Sequence, residues 1–246
     1  MAPTPRSVSD LLTVLRTDPG RPRLTWYSGD GERVELSGAV LDNWVSKTAN
    51  LLVEEFDAAP GYRVLLDVPA HWRSVVWALA VWRVGACVVT PGADPSPDDD
   101  TADLVVTDRP TAHPGARDLV AVALPALARR FDAALPAGAI DAAAAVMTYA
   151  DRLGWAPPVQ AGSPALVTST GTTVHADLFA DPSADEAQRV LLPAGELAAT
   201  LVDVLGVLSA AGSVVLVDDA FAAALRLDAA RTTALTTSER VTSDRL

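Results

Sequence analysis

The hydrophobic pattern of residues 63–92 changes its period twice, and it predicts a strand, a helix and a second strand. Arg63–Val68 is a short, mainly apolar run, as is typical of a strand buried on both faces. From His71 to Val84 the apolar positions recur at helical spacing, and Gly85 is placed to end that helix. Cys87–Thr90 then resumes a β-rich run. This order predicts two parallel strands joined by a crossover helix, the unit from which α/β proteins are built.

A second unit of the same kind is predicted towards the end of the chain. Arg189–Leu192 and Ser213–Val217 are strand-like, and Gly195–Ala211 between them carries a stripe of leucine and valine at helical spacing. Gly212 is placed to end that helix. Because parallel strands need covered faces, we expect an α/β fold with a mainly parallel sheet, or sheets, covered by helices.

The first sixty residues predict a helix, a hairpin and a longer helix. Ser7–Asp18 has an amphipathic pattern, and the β-like runs Arg23–Ser28 and Arg33–Leu36 flank the turn Gly29-Asp30-Gly31. Ser37 can cap the following helix, whose apolar stripe continues to Phe56.

The other segments have weaker patterns. Their predicted strands are Leu104–Thr107, Leu119–Leu124, Pro164–Thr168 and Val174–Ala180, and their predicted helices are Ala126–Ala134, Ile140–Leu153 and Ala220–Ala229. The polar end after Ala229 is expected to fray. We expect one domain over residues 1–246, made of a unit with the hairpin (1–125), an Ala/Pro-rich connection (126–162) and a second unit (163–246).

Charge and cysteine content restrict the partners and the compartment. The net charge of −12 and the pI near 4.5 argue against nucleic acid and against an anionic membrane surface, because neither attracts an acidic chain. The chain has neither a recognisable signal peptide nor an apolar run long enough to span a bilayer. A single cysteine, Cys87, excludes an intramolecular disulfide and fits a cytoplasmic protein.

Few residues in the sequence are candidates for catalysis or metal binding. Lys47 is the only lysine beside eighteen arginines, and it falls off the apolar stripe of its helix, so we interpret it as a solvated surface charge. His71 fits a surface or capping residue, Cys87 a small apolar residue, and the aspartates within Ala93–Asp103 a solvated loop rather than a metal site. We therefore predict no catalytic residue and no metal ligand.

The ordered motifs of the central region are similar to those of a known family. Gly61-Tyr62-Arg63-Val64, Val68-Pro69, Trp77-Ala78-Leu79-Ala80-Val81-Trp82 and Gly85-Ala86-Cys87-Val88-Val89 follow the pattern GDRVAL-x-LPNSPEW-x-x-A-x-LAVL-x-AGAV-x-VP. This pattern belongs to the adenylate-forming enzymes, the acyl-CoA synthetase, peptide-synthetase adenylation and luciferase group. The chain resembles the N-terminal subdomain of those enzymes, and the resemblance implies the same α/β fold.

The resemblance also implies a place for a phosphate-binding loop. The family motif TSGTTGxPKG is echoed by six residues, which are Thr168, Ser169, Thr170, Gly171, Thr172 and Thr173. We expect these residues to form a degenerate loop that binds ATP or AMP weakly at most. Val174, His175 and Ala176 stand in place of the glycine, proline and lysine that follow, and either His175 or an arginine could replace the lysine's charge. The alternative is an ordinary polar turn between strands.

The missing groups determine the expected function. The chain ends before the family's later motifs and its small C-terminal domain with the catalytic lysine, so we expect a truncated relative that does not adenylate acids by itself. Three functions stay open: an interaction or regulatory protein, a binder of a small acyl or nucleotide ligand, and an enzyme fragment completed by a partner chain. Apolar strands normally covered by the missing half favour self-association or a protein partner.

Overall fold

The computed structural model of the chain describes residues 4–92, 102–179 and 187–246. Most of the aspartate-rich stretch 93–103, expected to be a solvated loop, lies outside the described residues, and so does Ala180. In chain order the helices are α1 (Val8–Leu15), α2 (Gly38–Phe56), α3 (Trp72–Arg83), α4 (Ala142–Ala145), α5 (Leu197–Ser209), α6 (Asp219–Leu227) and α7 (Ala229–Ser238).

Twelve strands are found in the described residues. They are β1 (Pro22–Tyr27), β2 (Arg33–Ser37), β3 (Arg63–Asp67), β4 (Cys87–Val89), β5 (Leu104–Thr107), β6 (Leu119–Ala121), β7 (Ile140–Asp141), β8 (Pro164–Thr168), β9 (Gly171–Val174), β10 (Arg189–Pro193), β11 (Ser213–Val217) and β12 (Ser243–Asp244). Short 3-10 turns occupy Pro110–Ala112 and Val146–Thr148.

The strands form two sheets, and the chain divides into two compact units. The first unit comprises Met1–Asp42, Ala70–Val75 and Phe179–Leu246, and the second comprises Asn43–Pro69 and Val76–Leu178. This division follows different boundaries from those expected, because β1 of the N-terminal hairpin pairs with β11, whereas β8 pairs with β4.

The first unit contains a five-stranded sheet in the order β12-β10-β11-β1-β2. The predicted hairpin is confirmed, since β1 and β2 are antiparallel, and the second crossover unit is confirmed, since β10 and β11 are parallel neighbours. Their core positions are fully buried, including Leu191, Val215 and Val217 beneath α6 and α7.

The second unit contains a seven-stranded sheet in the order β7-β6-β5-β3-β4-β8-β9. The first crossover unit is confirmed, because β3 and β4 are parallel neighbours joined through α3. Strand β3 lies between β4 and β5 and is parallel to both. The predicted α/β fold with mainly parallel sheets is therefore correct.

Several weakly patterned segments differ from the prediction. Residues 126–134 form turns instead of a helix, and the helix expected over Ile140–Leu153 is limited to α4 and the 3-10 turn after it. The expected strand Val174–Ala180 is also wrong, since β9 begins at Gly171 and ends at Val174. Alanine favours a helix locally, but prolines and too few apolar positions leave these segments without a face to bury.

The tail does not end in a frayed segment as predicted. Helix α7 follows α6 directly, Leu235 is buried, and β12 pairs with β10 in the first sheet. Packing against the sheet, which the polar composition does not reveal, orders these last residues.

The two predicted helix-ending glycines act in different ways. Gly85 has φ +79°, a left-handed conformation that favours glycine after a helix. After α5, however, Ala211 takes the left-handed conformation with φ +57°, and Gly212 follows it. A Cβ at Gly212 would lie 2.6 Å from the Gln188 carbonyl oxygen, so close backbone approach requires the glycine there.

A buried arginine joins two helix ends in the first unit. The Nη1 of Arg23 donates to the carbonyl oxygens of Ala211 at 2.5 Å and Gly212 at 3.2 Å, just after α5, while Nη2 donates to the Leu15 carbonyl at 3.4 Å, at the end of α1. Burial lowers the pKa of Arg23 from its ordinary value. Because helix C-terminal carbonyls have no intrahelical donor, the guanidinium satisfies acceptors that would otherwise be orphaned.

No helix among residues 4–92, 102–179 and 187–246 is long and apolar enough to cross a membrane.

Replacing Arg23 by methionine is expected to destabilise the protein by about 2–4 kcal/mol, because several buried carbonyls lose their donor at a cost of roughly 1–3 kcal/mol each. Urea unfolding followed by circular dichroism measures the change. Arg226→Met, on the exposed side of α6, is the matched control and should change the free energy of unfolding by less than about 0.5 kcal/mol. Equal effects of the two substitutions would contradict the role assigned to Arg23.

Candidate functional site

The six residues expected to form the degenerate phosphate loop lie in a tight β-hairpin. Thr168 ends β8, Ser169 and Thr170 form the turn, and Gly171 begins β9 in register opposite Thr168. Thr172 and Thr173 continue β9, opposite Val167 and Leu166. The structure thus brings these residues together as a two-residue turn between antiparallel strands.

The hydroxyl groups at this turn bond to one another. Thr168 Oγ1 lies 3.0 Å from Thr170 Oγ1, and it also accepts from the Thr170 backbone N–H at 3.2 Å. Ser169, Thr170 and Gly171 are exposed to solvent. Internal bonding of this kind closes the turn and leaves fewer free donors for an anion.

His175 does not supply the charge of the lysine that the family motif contains. Its side chain is buried, and its Nε2 lies 3.1 Å from the Gly85 carbonyl oxygen, to which it donates. Burial lowers the pKa of the imidazole below its ordinary value of 6.5, so the ring is neutral at pH 7. The histidine anchors the chain after β9 and offers no cation to a ligand.

Lys47 is not the solvated charge that the pattern indicated. Its side chain is only 16% exposed, Nζ donates to the Tyr149 carbonyl oxygen at 2.6 Å, and Nζ pairs with Asp151 Oδ1 at 2.8 Å. Asn50, one turn further along α2, donates to the carbonyls of Ala150 and Arg152. The only lysine therefore helps to hold the segment that follows Thr148, which helical periodicity alone could not show.

The other two singled-out residues are buried. Cys87 is a buried free thiol, as expected. His71 caps α3 through Nδ1, which accepts from the Arg73 N–H at 3.2 Å, but it is buried and not on the surface. Its ring contacts Trp26 edge to face, and burial lowers its pKa to about 3. A histidine that stays neutral in this way is structural.

The strand order of the second unit creates a switch point between β3 and β5. From β3 the chain crosses through α3 to β4 on one side, whereas from β5 it continues to β6 on the other side. In open parallel sheets, the carboxyl ends of two strands whose connections diverge border a crevice, and ligands bind there preferentially.

Polar side chains gather at the carboxyl ends of these two strands. Asp67, the last residue of β3, faces Thr107, the last residue of β5, in register. The Asp67 carboxylate accepts from Thr107 Oγ1 at 3.2 Å, from Arg109 Nη2 at 2.7 Å and from His113 Nε2 at 2.7 Å. Thr107 Oγ1 also accepts from the Arg109 backbone N–H at 2.9 Å. We call these four residues the switch-point cluster.

The electrostatics of the cluster keep its carboxylate charged. Burial raises the pKa of Asp67, but the hydrogen bonds from His113 and Arg109 outweigh burial, and the net pKa lies below its usual range. The neighbouring Asp108 has its pKa raised, chiefly by burial. Asp67 therefore stays ionised, whereas Asp108 binds a proton more readily than an ordinary aspartate does.

In this arrangement Arg109 could bind a ligand, and His113 is held in a fixed orientation as a general base would be. Asp67 fixes the imidazole of His113 through one ring nitrogen, the role that a carboxylate plays towards histidine in many hydrolytic sites. Arg109 is 66% exposed, so its remaining donors can meet the carboxylate or phosphate of a ligand. No group of three or more histidine, cysteine, aspartate or glutamate residues that could hold a metal ion occurs in the part of the chain that the structure describes.

Sequence reasoning missed the switch-point cluster. The available signal was that Asp67 and Thr107 each close an apolar strand, since parallel strands align their carboxyl ends. Nothing in the sequence, however, placed β5 beside β3, because the expectation joined β3 only to β4.

Asp67→Asn is expected to destabilise the protein by about 1–3 kcal/mol at pH 7, because the buried carboxylate loses its charge-assisted bonds to Arg109 and His113. The folded-state pKa is depressed, so this stabilisation is present above the unfolded pKa near 3.8 and is lost as the pH falls through the lower folded value. Urea unfolding at neutral and at acidic pH should show the variant and the parent converging in acid. Asp132→Asn at an exposed position is the control, and a pH-independent difference for Asp67→Asn would contradict the ionised role.

One known protein is similar to this chain in sequence. No protein-family profile matches the chain. A Mycobacterium tuberculosis protein named "TIGR03089 family protein" is 36% identical over 160 residues, which cover 61% of this chain and 63% of that protein. The name states no activity, and the match spans less than two thirds of the relative's length.

The chain is similar to several solved structures in fold, although its sequence identity to them is low. Acetoacetyl-CoA synthetase from Streptomyces lividans matches with a TM-score of 0.69 and 17% identity over 86% of this chain and 38% of its own. An acyl-CoA synthetase of Brucella canis matches with a TM-score of 0.65 and 18% identity, over 86% of this chain and 46% of its own. A Mycobacterium tuberculosis fatty acyl CoA synthetase matches with a TM-score of 0.61 and 18% identity, over 97% of this chain and 49% of its own. This chain spans less than half of each of these proteins, and the fold that it shares with them is that of the adenylate-forming enzymes.

Proposed function

We propose that this chain is a ligand-binding or interaction relative of the adenylate-forming enzymes and that it forms no acyl-adenylate unaided. The observation that carries the proposal is the hairpin of β8 and β9. Where the resemblance places a phosphate loop, Thr168 and Thr170 bond to each other and His175 is buried and neutral.

The hairpin residues fit a nucleotide triphosphate poorly. A phosphate cradle needs several free backbone N–H groups or a fixed cation. At this turn the Thr170 N–H already bonds to Thr168, and the Thr172 and Thr173 positions lie in the antiparallel pairing with β8. Transfer chemistry on phosphate depends on positioned cations, whose removal can lower rates by about 10³ or more.

What remains at the turn supports weak binding. Two or three hydrogen bonds to a charged group contribute roughly 1.5–3 kcal/mol each, and ordering the ligand and loop consumes much of that. A net charge of −12 opposes an anion further. We therefore expect a dissociation constant for ATP or AMP no better than about millimolar at this turn.

The switch-point cluster supports a retained binding role for the second unit. Its site lies where open parallel sheets bind ligands, and the exposed guanidinium of Arg109 suits an anionic group. Small acyl acids and nucleotides both carry such a group. A small acyl or nucleotide ligand at this edge is thus the ligand class that we propose.

An alternative is an enzyme fragment whose missing groups come from a partner chain. It is favoured by the fold that the chain shares with the solved synthetases. Under this alternative, adenylate formation appears only when the partner supplies the missing acidic and lysine residues.

Pyrophosphate exchange separates these functions. With a panel of carboxylic acids, the purified chain should exchange labelled pyrophosphate into ATP no faster than buffer, because no fixed cation holds the triphosphate at the turn. Calorimetric titration with ATP, AMP and an acyl-adenylate analogue should give at most about millimolar affinity at the hairpin.

Gly171→Val tests the hairpin itself, since Gly171 has φ +154° and open space around it. Gly138→Val is the matched control, because Gly138 also has a positive φ and open surroundings but lies elsewhere in the second unit. Exchange above background, or micromolar ATP affinity lost only in Gly171→Val, would refute the proposal. Exchange that appears only when a partner protein is added would establish the fragment alternative.

We also propose that the chain self-associates or meets a protein partner through the segment 126–162. Large apolar side chains are exposed there: Leu127 is 93%, Trp155 70%, Met147 56% and Val159 38% exposed. Isolated apolar residues are common on surfaces, but four in one segment favour contact with another protein surface.

Multi-angle light scattering at increasing concentration should show a mass above the 25.6 kDa of one chain. Replacing Trp155 with serine should shift the distribution towards the monomer, because the largest of these side chains is removed. Leu227→Ser, at a still more exposed position in the first unit, is the control and should leave the mass unchanged. A strict monomer at every concentration would count against self-association.

A further inference from the structure

A cavity of about 440 Å³ opens in the first unit at the amino end of its parallel strands. Arg189 and Ser213, the first residues of β10 and β11, line it together with Arg21 just before β1. Arg33 of β2 and Arg240 after α7 also reach it. Its size lies within the range of roughly 300–1,000 Å³ of small-molecule pockets.

The base of this cavity is a preorganised network around Glu239. Its carboxylate is buried and accepts from Tyr27 Oη, from Arg33 Nη2 at 2.9 Å and from Arg189 Nη2. Arg189 also donates through Nη2 to Thr25 Oγ1 at 3.0 Å. Burial raises the pKa of Glu239, but the bonds from Tyr27, Arg189 and Arg33 lower it overall, so the carboxylate stays ionised.

The network leaves positive charge uncompensated in the cavity. Of the residues that the structure describes, four arginines and two glutamates line it, so these cations exceed these anions by two, in a chain whose net charge is −12. Glu239 is engaged by Arg33 and Arg189, and Glu35 pairs with Arg33 at 2.6 Å. Among the residues that the structure describes, no ion pair joins Arg21 or Arg240 to a carboxylate.

We propose that this cavity binds a small organic anion with two or more negative charges. Guanidinium groups bind phosphate and carboxylate through paired N–H donors, and Arg21 and Arg240 keep those donors available. The ion pairs with Glu239 hold the other two guanidinium groups in place, so these two side chains lose little conformational freedom on binding.

The position of the cavity separates it from the sites discussed above. It lies at the amino ends of β10 and β11, whereas the switch-point cluster and the hairpin belong to the second unit. The proposal thus does not depend on nucleotide binding at Thr168–Thr173 or on a ligand at Asp67.

Isothermal titration calorimetry of the whole chain with inorganic pyrophosphate and with citrate, at matched ionic strength, tests the proposal. We expect saturable binding of at least one probe with one equivalent per chain. Arg21→Gln and Arg240→Gln should each weaken it at least about fivefold, because each removes a charge-assisted contact. Added sodium chloride should weaken it further, since the cavity is open to screening ions.

Arg226→Gln, at an exposed position of α6 outside the cavity, is the matched control and should leave the affinity unchanged. Binding of pyrophosphate alone identifies a phosphate ligand, and binding of citrate alone identifies a carboxylate ligand. Absence of saturable heat for both probes overturns the proposal. So does an affinity that survives the Arg21→Gln, Arg240→Gln double variant, provided thermal melting shows that the variant is folded.

Discussion

The structure depends on one constraint: backbone carbonyl groups and carboxylates that the buried parallel strands and helix ends take out of water need donors inside the protein. Burying such a group unpaired costs several kcal/mol, in the range of roughly 2–7 kcal/mol for an amide or hydroxyl. Three side chains meet this constraint. Arg23 serves the carbonyls at two helix ends, Asp67 collects donors from β5 and the turn after it, and Glu239 joins the last helix to the first sheet.

These satisfied groups are also what gives each unit its chemistry. A carboxylate held by several donors remains charged when buried, so the groups around it are fixed in direction as well as position. At Asp67 the result is an oriented imidazole and an exposed guanidinium at the carboxyl edge of the second sheet. At Glu239 the result is a cavity in the first unit that is lined by several arginines, two of which the carboxylate holds. Side chains that hydrogen-bond to the buried carboxylates are thus also among those available to bind a ligand.

The relation to adenylate-forming enzymes is one of fold, and the local chemistry of the hairpin differs from what the motif implies. The hydroxyl-rich turn lies between the antiparallel strands β8 and β9, at the position that the resemblance gives to the phosphate loop. The charge that a phosphate needs is missing at His175, because burial lowers the pKa of its imidazole more than the hydrogen bond to the Gly85 carbonyl raises it, and the ring stays neutral. The fold and the charge at this turn are set by different residues, so likeness in fold does not by itself supply a phosphate site.

The sequence by itself determined the two crossover units, the N-terminal hairpin and most helix limits, because continuous apolar runs and helical stripes record local burial directly. It also determined that Lys47 is the single lysine beside eighteen arginines, so that any positive charge for phosphate binding must come mainly from arginine. Only the tertiary structure decided that β1 pairs with β11, that β5 lies beside β3, and that Arg109 and His113 reach Asp67. The physical reason is that periodicity reports which face of an element is buried, whereas the partner of a polar side chain depends on which distant strand becomes its neighbour. Burial of Lys47 and His175, and the gathering of arginines around Glu239, follow from that neighbourhood alone.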